Sequence, residues 1–495
     1  MLSADCFALI YLVATVLFIF GLKGMSSPKK AVAGNWYAMA GMAVALAATM
    51  LHPDVHRYRW ILVGLGAGAV VGTGLALRIS MTAMPQLVAI LHSFVGLAAT
   101  LVAFGIFFVH RDTEGTALLI EIAVGSLIGT VTFAGSVVAF AKLQELLSSS
   151  PLVFKGQHAL NLLLGLVVAG LAFQFVCTEE VTYLVAANVL AAVLGLLLIL
   201  PIGGADMPVI VSMLNSYSGW AACATGFTLG NNLLITTGAL VGSSGAIISY
   251  IMCKAMNRSI ISVVLGGFGG EAGGGSAIAT AAGKGIKSSS VEVLAFLLEN
   301  ATKAIIVPGY GLAVAQAQHA VKELCEVLHK KGVAVKFAIH PVAGRMPGHM
   351  NVLLAEAEIP YDTVFEMEEI NAEFSSTDVA FVIGANDVVN PAAKTDKTSP
   401  LYGMPILDAY KARHVFVNKR SMKAGYAGVD NALFYMDNCS LVFGDAKSVC
   451  EGLVSALQAQ PPKALQRPPK GYPLPFDTKY QKEVGNLWGL CVSCR

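Results

Sequence analysis

The first 265 residues fall into apolar stretches of about 17–25 residues, each long enough to cross the ~30 Å hydrocarbon core of a bilayer as a helix. Nine such stretches are centred near Ala14, Met42, Ala69, Gly96, Thr130, Leu166, Ala191, Gly219 and Leu240. A chain with this pattern can only be a polytopic membrane protein, because lipid satisfies no backbone hydrogen bonds and forces helices. The first stretch lacks a basic leader and a small-residue cleavage site, so it reads as a membrane helix rather than a signal peptide. Only 13% of the chain is charged, against roughly 25% for an average soluble protein. The deficit is confined to residues 1–265; residues 291–460 read as an ordinary soluble domain. A net charge of +2 implies no nucleic-acid partner.

An odd number of spans puts the two ends of the membrane domain on opposite sides. With the C-terminal domain inside, the inner loops hold Lys23, Lys29, Lys30, Arg78, Lys142, Lys155, Lys254 and Arg258, against Arg57, Arg59 and Arg111 outside. That bias favours the inner, cytoplasmic or matrix side for the C-terminal domain. Small-residue stripes Gly125/Gly129/Thr132/Ser136 and Gly238/Gly242/Gly245/Ser249 are expected to be helix-packing seams. The Gly64-Leu65-Gly66-Ala67-Gly68-Ala69 string imitates a dinucleotide fingerprint, but it lies inside an apolar span and is read as packing surface.

Polar groups at membrane depth are the exceptions. His92, a third of the way along the fourth span, is either a proton-carrying site or a neutral histidine bonded between helices. Ser212, Asn215, Ser216 and Gly219 share one face of the eighth span, where Asn215 either orders water or joins two helices. Asp206 most simply caps that helix, and could alternatively exchange protons at its inner mouth.

Residues 266–290 are rich in Gly, Ala and Ser and read as a flexible tether; Gly283-Lys284-Gly285 has neither the preceding strand nor the following hydroxyl of a P-loop. From residue 291 helices alternate with buried strands at 303–307, 333–339, 363–365, 379–383, 414–417 and 440–443, the six of a doubly wound parallel α/β Rossmann-like sheet. Gly309, Tyr310, Gly311 and Val314 form a G-x-G-x-x-V fingerprint between the first strand and a helix expected to run to about Lys331. Residues 329–342 contain no acid to hold a ribose 2′-hydroxyl, whereas Lys419, Arg420 and Ser421 end the fifth strand. Two cations and a hydroxyl suit a 2′-phosphate, so NADP(H) is expected rather than NAD(H). The loop Gly384-Ala385-Asn386-Asp387-Val388 ends the fourth strand, and residues 425–431 have the glycine spacing of a movable flap. The nine cysteines form no framework; Cys491 and Cys494 stand in a Pro-rich tail, 461–495.

Several long motifs resemble the beta subunit of proton-translocating NAD(P) transhydrogenase over roughly residues 5–455: residues 84–96 around His92, 203–208 around Asp206, 213–220 around Asn215, 340–351 and 419–421. The resemblance implies a Si/Re-specific, proton-translocating transhydrogenase. Its proton path would be His92, Asn215, Asp206 and Ser136. Its NADP(H) pocket would add Val342, Ala343, Gly344, Arg345, Met346 and Pro347 to the loops above, with Gly403, Met404, Met422, Lys423, Ala424, Gly425, Tyr426, Asp445 and Ala446. The second nucleotide, NAD(H), would sit on a partner alpha subunit, in a dimer of alpha–beta units held in the lipid bilayer of a bacterial or organellar inner membrane. The tether is less charged than in bacterial members. The tail has no counterpart there, being either an extension or a linker to a fused alpha portion. No metal site is expected. A nucleotide-regulated channel and a membrane-anchored dehydrogenase are weaker readings, since neither a selectivity filter nor a catalytic acid/base set is present.

Overall fold

The computed structural model describes residues 4–25, 30–53, 55, 57–109, 115–148, 151–266, 285–399, 401–422, 425, 427 and 429–459. Lys29, Arg111, most of the tether and the tail with Cys491 and Cys494 lie outside the described residues. Among the described residues, nine long helices stand where the nine stretches were read: α1 Ala4–Met25, α2 Ala31–Met50, α3 Tyr58–Arg78, α4 Met84–Val109, α5 Thr116–Leu143, α6 Gln157–Thr178, α7 Val181–Ile199, α8 Met207–Thr228 and α9 Asn232–Ala255. Eight of them are long and apolar enough to cross a membrane. The other, α8, is long enough at 22 residues but carries Ser212, Asn215, Ser216 and Ser218. Its polarity is tolerated because it is enclosed by α4, α5 and α9 instead of facing lipid.

The two glycine stripes are the seams between these helices. A Cβ on Gly129 would stand 2.6 Å from the Gly96 carbonyl, and one on Gly219 2.3 Å from the Gly242 nitrogen. Ser212 and Ser216 of α8 donate to the carbonyls of Gly245 and Gly242 on α9, at 3.0 and 2.6 Å. These are backbone-close packings of the kind lipid-embedded helices depend on. The α3 string differs from expectation: nothing lies within 4 Å of a Cβ on Gly64, Gly66 or Gly68, and α3 buries no residue. Within this chain that glycine face is open rather than packed.

A short helix, Ile260–Leu265, follows α9. The C-terminal domain is a six-stranded parallel sheet, β1 Lys303–Pro308, β2 Ala334–Ile339, β3 Val364–Glu366, β4 Val379–Ile383, β5 His414–Lys419 and β6 Cys439–Phe443. Its order is β3-β2-β1-β4-β5-β6, so the chain reverses direction across the sheet between β1 and β4. Alternation along the strands feeds two cores. Ile306, Phe337, Phe381 and Phe416 face the helices Val291–Asn300, Gln318–Lys330 and Ala446–Ala459, while Ile305, Val307, Val382 and Val417 face Phe374 and Phe434. Residues 287–289 already belong to this domain, because Ser288 bridges Leu441 in parallel. The helix expected from the fingerprint to Lys331 is broken in two, Tyr310–Val314 and Gln318–Lys330. Gln316 sits between them at φ 50°, a left-handed backbone that ends any α-helix.

Candidate functional site

A cavity of about 350 Å³ lies at the carboxyl ends of β1 and β4, where ligands bind in open α/β sheets. From the sheet it is lined by Gly309, Tyr310, Gly311, Val342, Ala343, Gly344, Gly384, Ala385, Asn386, Asp387 and Val388, with Leu401, Met404, Gly425 and Ala427 around the rim. The glycines allow close approach. Gly384, at φ +68°, has no room for a Cβ, which would lie 2.5 Å from the Gly311 Cα. The Gly309 and Gly311 amides donate to the Ile383 and Gly384 carbonyls, both at 2.9 Å. Part of the fingerprint's glycine requirement is therefore the joining of the first and fourth loops. Across the cavity, the Ala427 amide donates to Asp387 Oδ2 at 3.0 Å, which ties Ala427 to the fourth-strand loop.

Other expected pocket residues stand apart from this cavity. Val314 is 44% exposed. Lys419 is half-buried at the end of β5 with its Nζ 4.5 Å from the Phe434 ring centre, and Arg420, Ser421 and Met422 continue outward as exposed residues. Burial lowers the Lys419 pKa, and Asp387 and Asp430 partly oppose it. Asp445 caps the helix Ala446–Ala459, accepting from the Lys447 amide at 3.1 Å. Gly403 turns at φ +81° beside Asn257 of the membrane domain. Met346 and Pro347 are half-buried in the turn before the helix His349–Glu356. Lys423, Ala424 and Tyr426 lie outside the described residues.

Two buried histidines shape the 340–349 turn. His340 Nε2 pairs with the Pro405 carbonyl at 2.9 Å while Nδ1 accepts from the Val342 amide at 3.3 Å. His349 Nδ1 accepts from the Arg345 amide at 3.0 Å. Burial pushes His340 down to about 4; His349 is pushed to about 4 by burial and by the Arg345 charge. Both are neutral hinges of the turn near neutral pH.

The membrane domain closes the cavity from the other side through Gly204, Asp206, Met256 and Arg258. Asp206 occupies the N-cap position of α8 without a side-chain capping bond; its carboxylate is fully buried and pairs instead with the Arg258 guanidinium. The expectation of a capping aspartate is thereby corrected: Arg258, 52 residues on, is the stronger partner for a buried carboxylate. Met256 and Arg258 were missed as cavity residues, and no spacing or composition singles them out. Gly204 stood inside a quoted motif, beside Asp206.

Deeper in the membrane, His92 Nδ1 lies 3.0 Å from the Ser218 hydroxyl, which also donates to the Asn215 carbonyl at 2.9 Å. Among the described residues, His92 Nε2 and the Ser136 hydroxyl are buried without a hydrogen-bond partner. Ser218, a residue the sequence reading passed over, thus joins His92 to the main-chain carbonyl of Asn215 and not to its side chain. A second polar chain, also unforeseen, crosses three helices: Thr100 to Thr130 at 3.1 Å, Thr130 to Asn188 at 2.6 Å, and Asn188 to Ser126 at 3.2 Å.

Residues 7–456 match the family described as NAD(P) transhydrogenase beta subunit. Two curated relatives, both NAD(P) transhydrogenase subunit beta of Rhodospirillum rubrum and one of them from a specified strain, are 56% identical over 455 residues. Those matches cover 90% of this chain and 98% of each relative.

Proposed function

The chain belongs to the NAD(P) transhydrogenase beta subunit family, and from that membership we propose that its cavity holds NADP(H) and that hydride exchange with NAD(H) is coupled to proton passage along the His92 side of the membrane domain. The observation that carries this reading is the position of the cavity. It lies between the carboxyl ends of β1 and β4 and the buried Asp206–Arg258 pair, so one space is bounded by both domains. Its lining fits a phosphorylated dinucleotide: Gly309, Gly344 and Gly384 permit backbone approach, and Lys419 and Arg420 stand further along the same sheet edge for a 2′-phosphate. The bound nucleotide supplies the hydride chemistry. The chain's own work is to bind and orient it, to exclude water with the 425–431 flap, and to pass a proton.

His92 and Ser218 form the hydrogen-bonded centre of the proposed proton path, with Asn215, Ser136 and Asp206 as its further members. His92 has one ring nitrogen bonded to Ser218 and the other buried without a protein partner. A proton gained or lost there changes which ring atoms donate. The NAD(H) domain belongs to an alpha subunit, since one fingerprint in a strand–helix context is present. Two such alpha–beta units form the assembly, in a bacterial or organellar inner membrane. The excess of Lys and Arg in the loops read as inner supports a cytoplasmic or matrix side for the nucleotide domain. The Si/Re specificity and the translocase class follow as parts of the same proposal.

The deciding assay is reconstitution with an alpha subunit in sealed vesicles. NADPH should reduce an NAD analogue with proton uptake, and an uncoupler should change the rate. Equal use of NADPH and NADH at the beta-subunit site would refute the nucleotide assignment. Hydride transfer indifferent to the uncoupler would refute the coupling.

A further inference from the structure

One main-chain atom is shared by two side chains from different domains. The Leu143 carbonyl, at the C-terminal end of α5, accepts from Gln86 Nε2 of α4 at 3.2 Å and from Arg345 Nη1 of the nucleotide domain at 2.9 Å. Arg345 Nη2 reaches Glu145 Oε1 at 3.1 Å, and the guanidinium lies 4.4 Å from the centre of the Tyr310 ring. Arg345 is 9% exposed, so its bond to the Leu143 carbonyl is largely sealed from water, whereas the Glu145 side chain is 72% exposed.

Each end of this arrangement leads to a proposed functional group. Gln86 and His92 are six residues apart on the same helix, about 9 Å along its axis. Arg345 directly follows Gly344, and Gly344 and Tyr310 both line the cavity. The acceptor is rigidly presented. The Leu146 amide bonds the Ala141 carbonyl at 2.9 Å and the Glu145 amide bonds Lys142 at 3.2 Å, the paired bonds of a Schellman cap. Glu145 takes the left-handed position, φ 62°, that glycine usually fills. The side chain retained there is the one that meets Arg345. A second point fixes the docked domain: Asn257, also left-handed at the end of α9, donates to the Tyr402 carbonyl at 2.7 Å.

We propose that Gln86 and Glu145 are positioning residues that couple helix α4, carrying His92, to the nucleotide-binding turn through the Leu143 carbonyl and Arg345. The inference rests on the reading of the cavity as an NADP(H) site and of His92 as a proton carrier. A carbonyl oxygen has two lone pairs, and here both are used. A shift of α4 that withdraws Gln86 leaves Arg345 as sole donor, and lifting of the nucleotide domain leaves Gln86 as sole donor. Each side thereby changes the free energy of the other's rearrangement, and the effect is reciprocal. Gln86 Oε1 is buried without a partner, so the donated bond at Leu143 is the one that fixes this amide.

The test uses the alpha–beta complex in sealed vesicles and reads the ratio of the hydride-transfer rate under an imposed proton gradient to the rate with uncoupler. Gln86→Leu and Glu145→Ala should each lose about fivefold or more of the gradient's effect, with the uncoupled rate close to the parent's and Glu145→Asp restoring the ratio. General damage lowers both rates together and leaves the ratio unchanged. Hydrogen exchange without nucleotide supplies a second measurement: protection at residues 143–147 and 342–346 should fall in Glu145→Ala while the rest of the protein keeps its pattern. Parent-like ratios in both Gln86→Leu and Glu145→Ala would overturn the inference. A parent protein whose ratio is one would instead overturn the proton-coupling reading on which it stands.

Discussion

His92 and Ser218 stand 3.0 Å apart, ring nitrogen to hydroxyl, on helices 126 positions distant in sequence. The pairing makes the imidazole the junction between α4 and the polar face of α8. Replacement of His92 by Leu removes the imidazole from that junction and keeps its bulk. We expect proton-coupled turnover to fall by about 100-fold or more while NADPH binding, measured by quenching of its fluorescence, stays near that of the parent. Unchanged pumping in His92→Leu would remove the histidine from the path.

Lys419 ends β5 and Arg420 follows it, at the carboxyl end of the strand. If they hold a 2′-phosphate, removing either loses charge-assisted hydrogen bonds of about 1.5–3 kcal/mol, a weakening of roughly 10–100-fold. Equilibrium dialysis should show this loss for NADPH in Arg420→Ala and little change for NADH. A parallel loss for both nucleotides would sink the phosphate assignment.

Asp206 is fully buried, and the Arg258 side chain is 13% exposed. Truncating one partner strands the other charge, at a cost of about 3–5 kcal/mol. Arg258→Met should therefore lower the thermal midpoint of the detergent-solubilised protein clearly, and Asp206→Leu/Arg258→Met should recover most of the drop. A double variant no more stable than the single would show that the pair is not what the cavity wall depends on.

Gly384→Ala combines a left-handed backbone with a Cβ placed 2.5 Å from the Gly311 Cα. The first and fourth loops must separate, and overpacking of this kind costs about 1–3 kcal/mol before the backbone strain is added. Faster hydrogen exchange should be confined to the ends of β1 and β4, accompanied by weaker NADPH binding. Parent-like exchange at both ends would contradict the tight junction.

His340 and His349 are each held neutral, their pKa values pushed to about 4 from 6.5. The unfolded chain takes up these protons as pH falls below 6.5 and the folded chain does not. Stability is therefore intact above 6.5 and declines between 6.5 and 4, by on the order of 3 kcal/mol per histidine at the lower limit. Hydrogen exchange of the sheet, corrected for intrinsic rates, should follow that window. Replacing His349 by Gln should shallow the slope, and an unaltered slope would exclude His349 as a contributor.

The spans and strands were readable because each is governed by local periodicity: 20-residue apolar runs for the bilayer, short buried runs for a parallel sheet. Even α8, too polar for a lipid-facing helix, was visible by length and neighbours. Sequence failed where two distant segments settle each other's conformation. Asp206 looked like a cap until Arg258, 52 residues on, was brought to it. Arg345 looked committed to a ligand, yet its guanidinium is engaged by α5 some 200 residues earlier. Ser218 is one serine among several on its helix, distinguished only by the imidazole opposite it. The break at Gln316 lacked any glycine or proline to announce it.

The acceptor where Gln86 and Arg345 converge belongs to the peptide backbone. Any amino acid at position 143 would supply it, so a mutational scan that replaces residues one at a time passes over the hub and registers only its spokes. Dissecting this junction calls for chemistry that edits the amide itself, such as an ester or thioamide placed at 143–144, where weakening a single oxygen would loosen both attachments together.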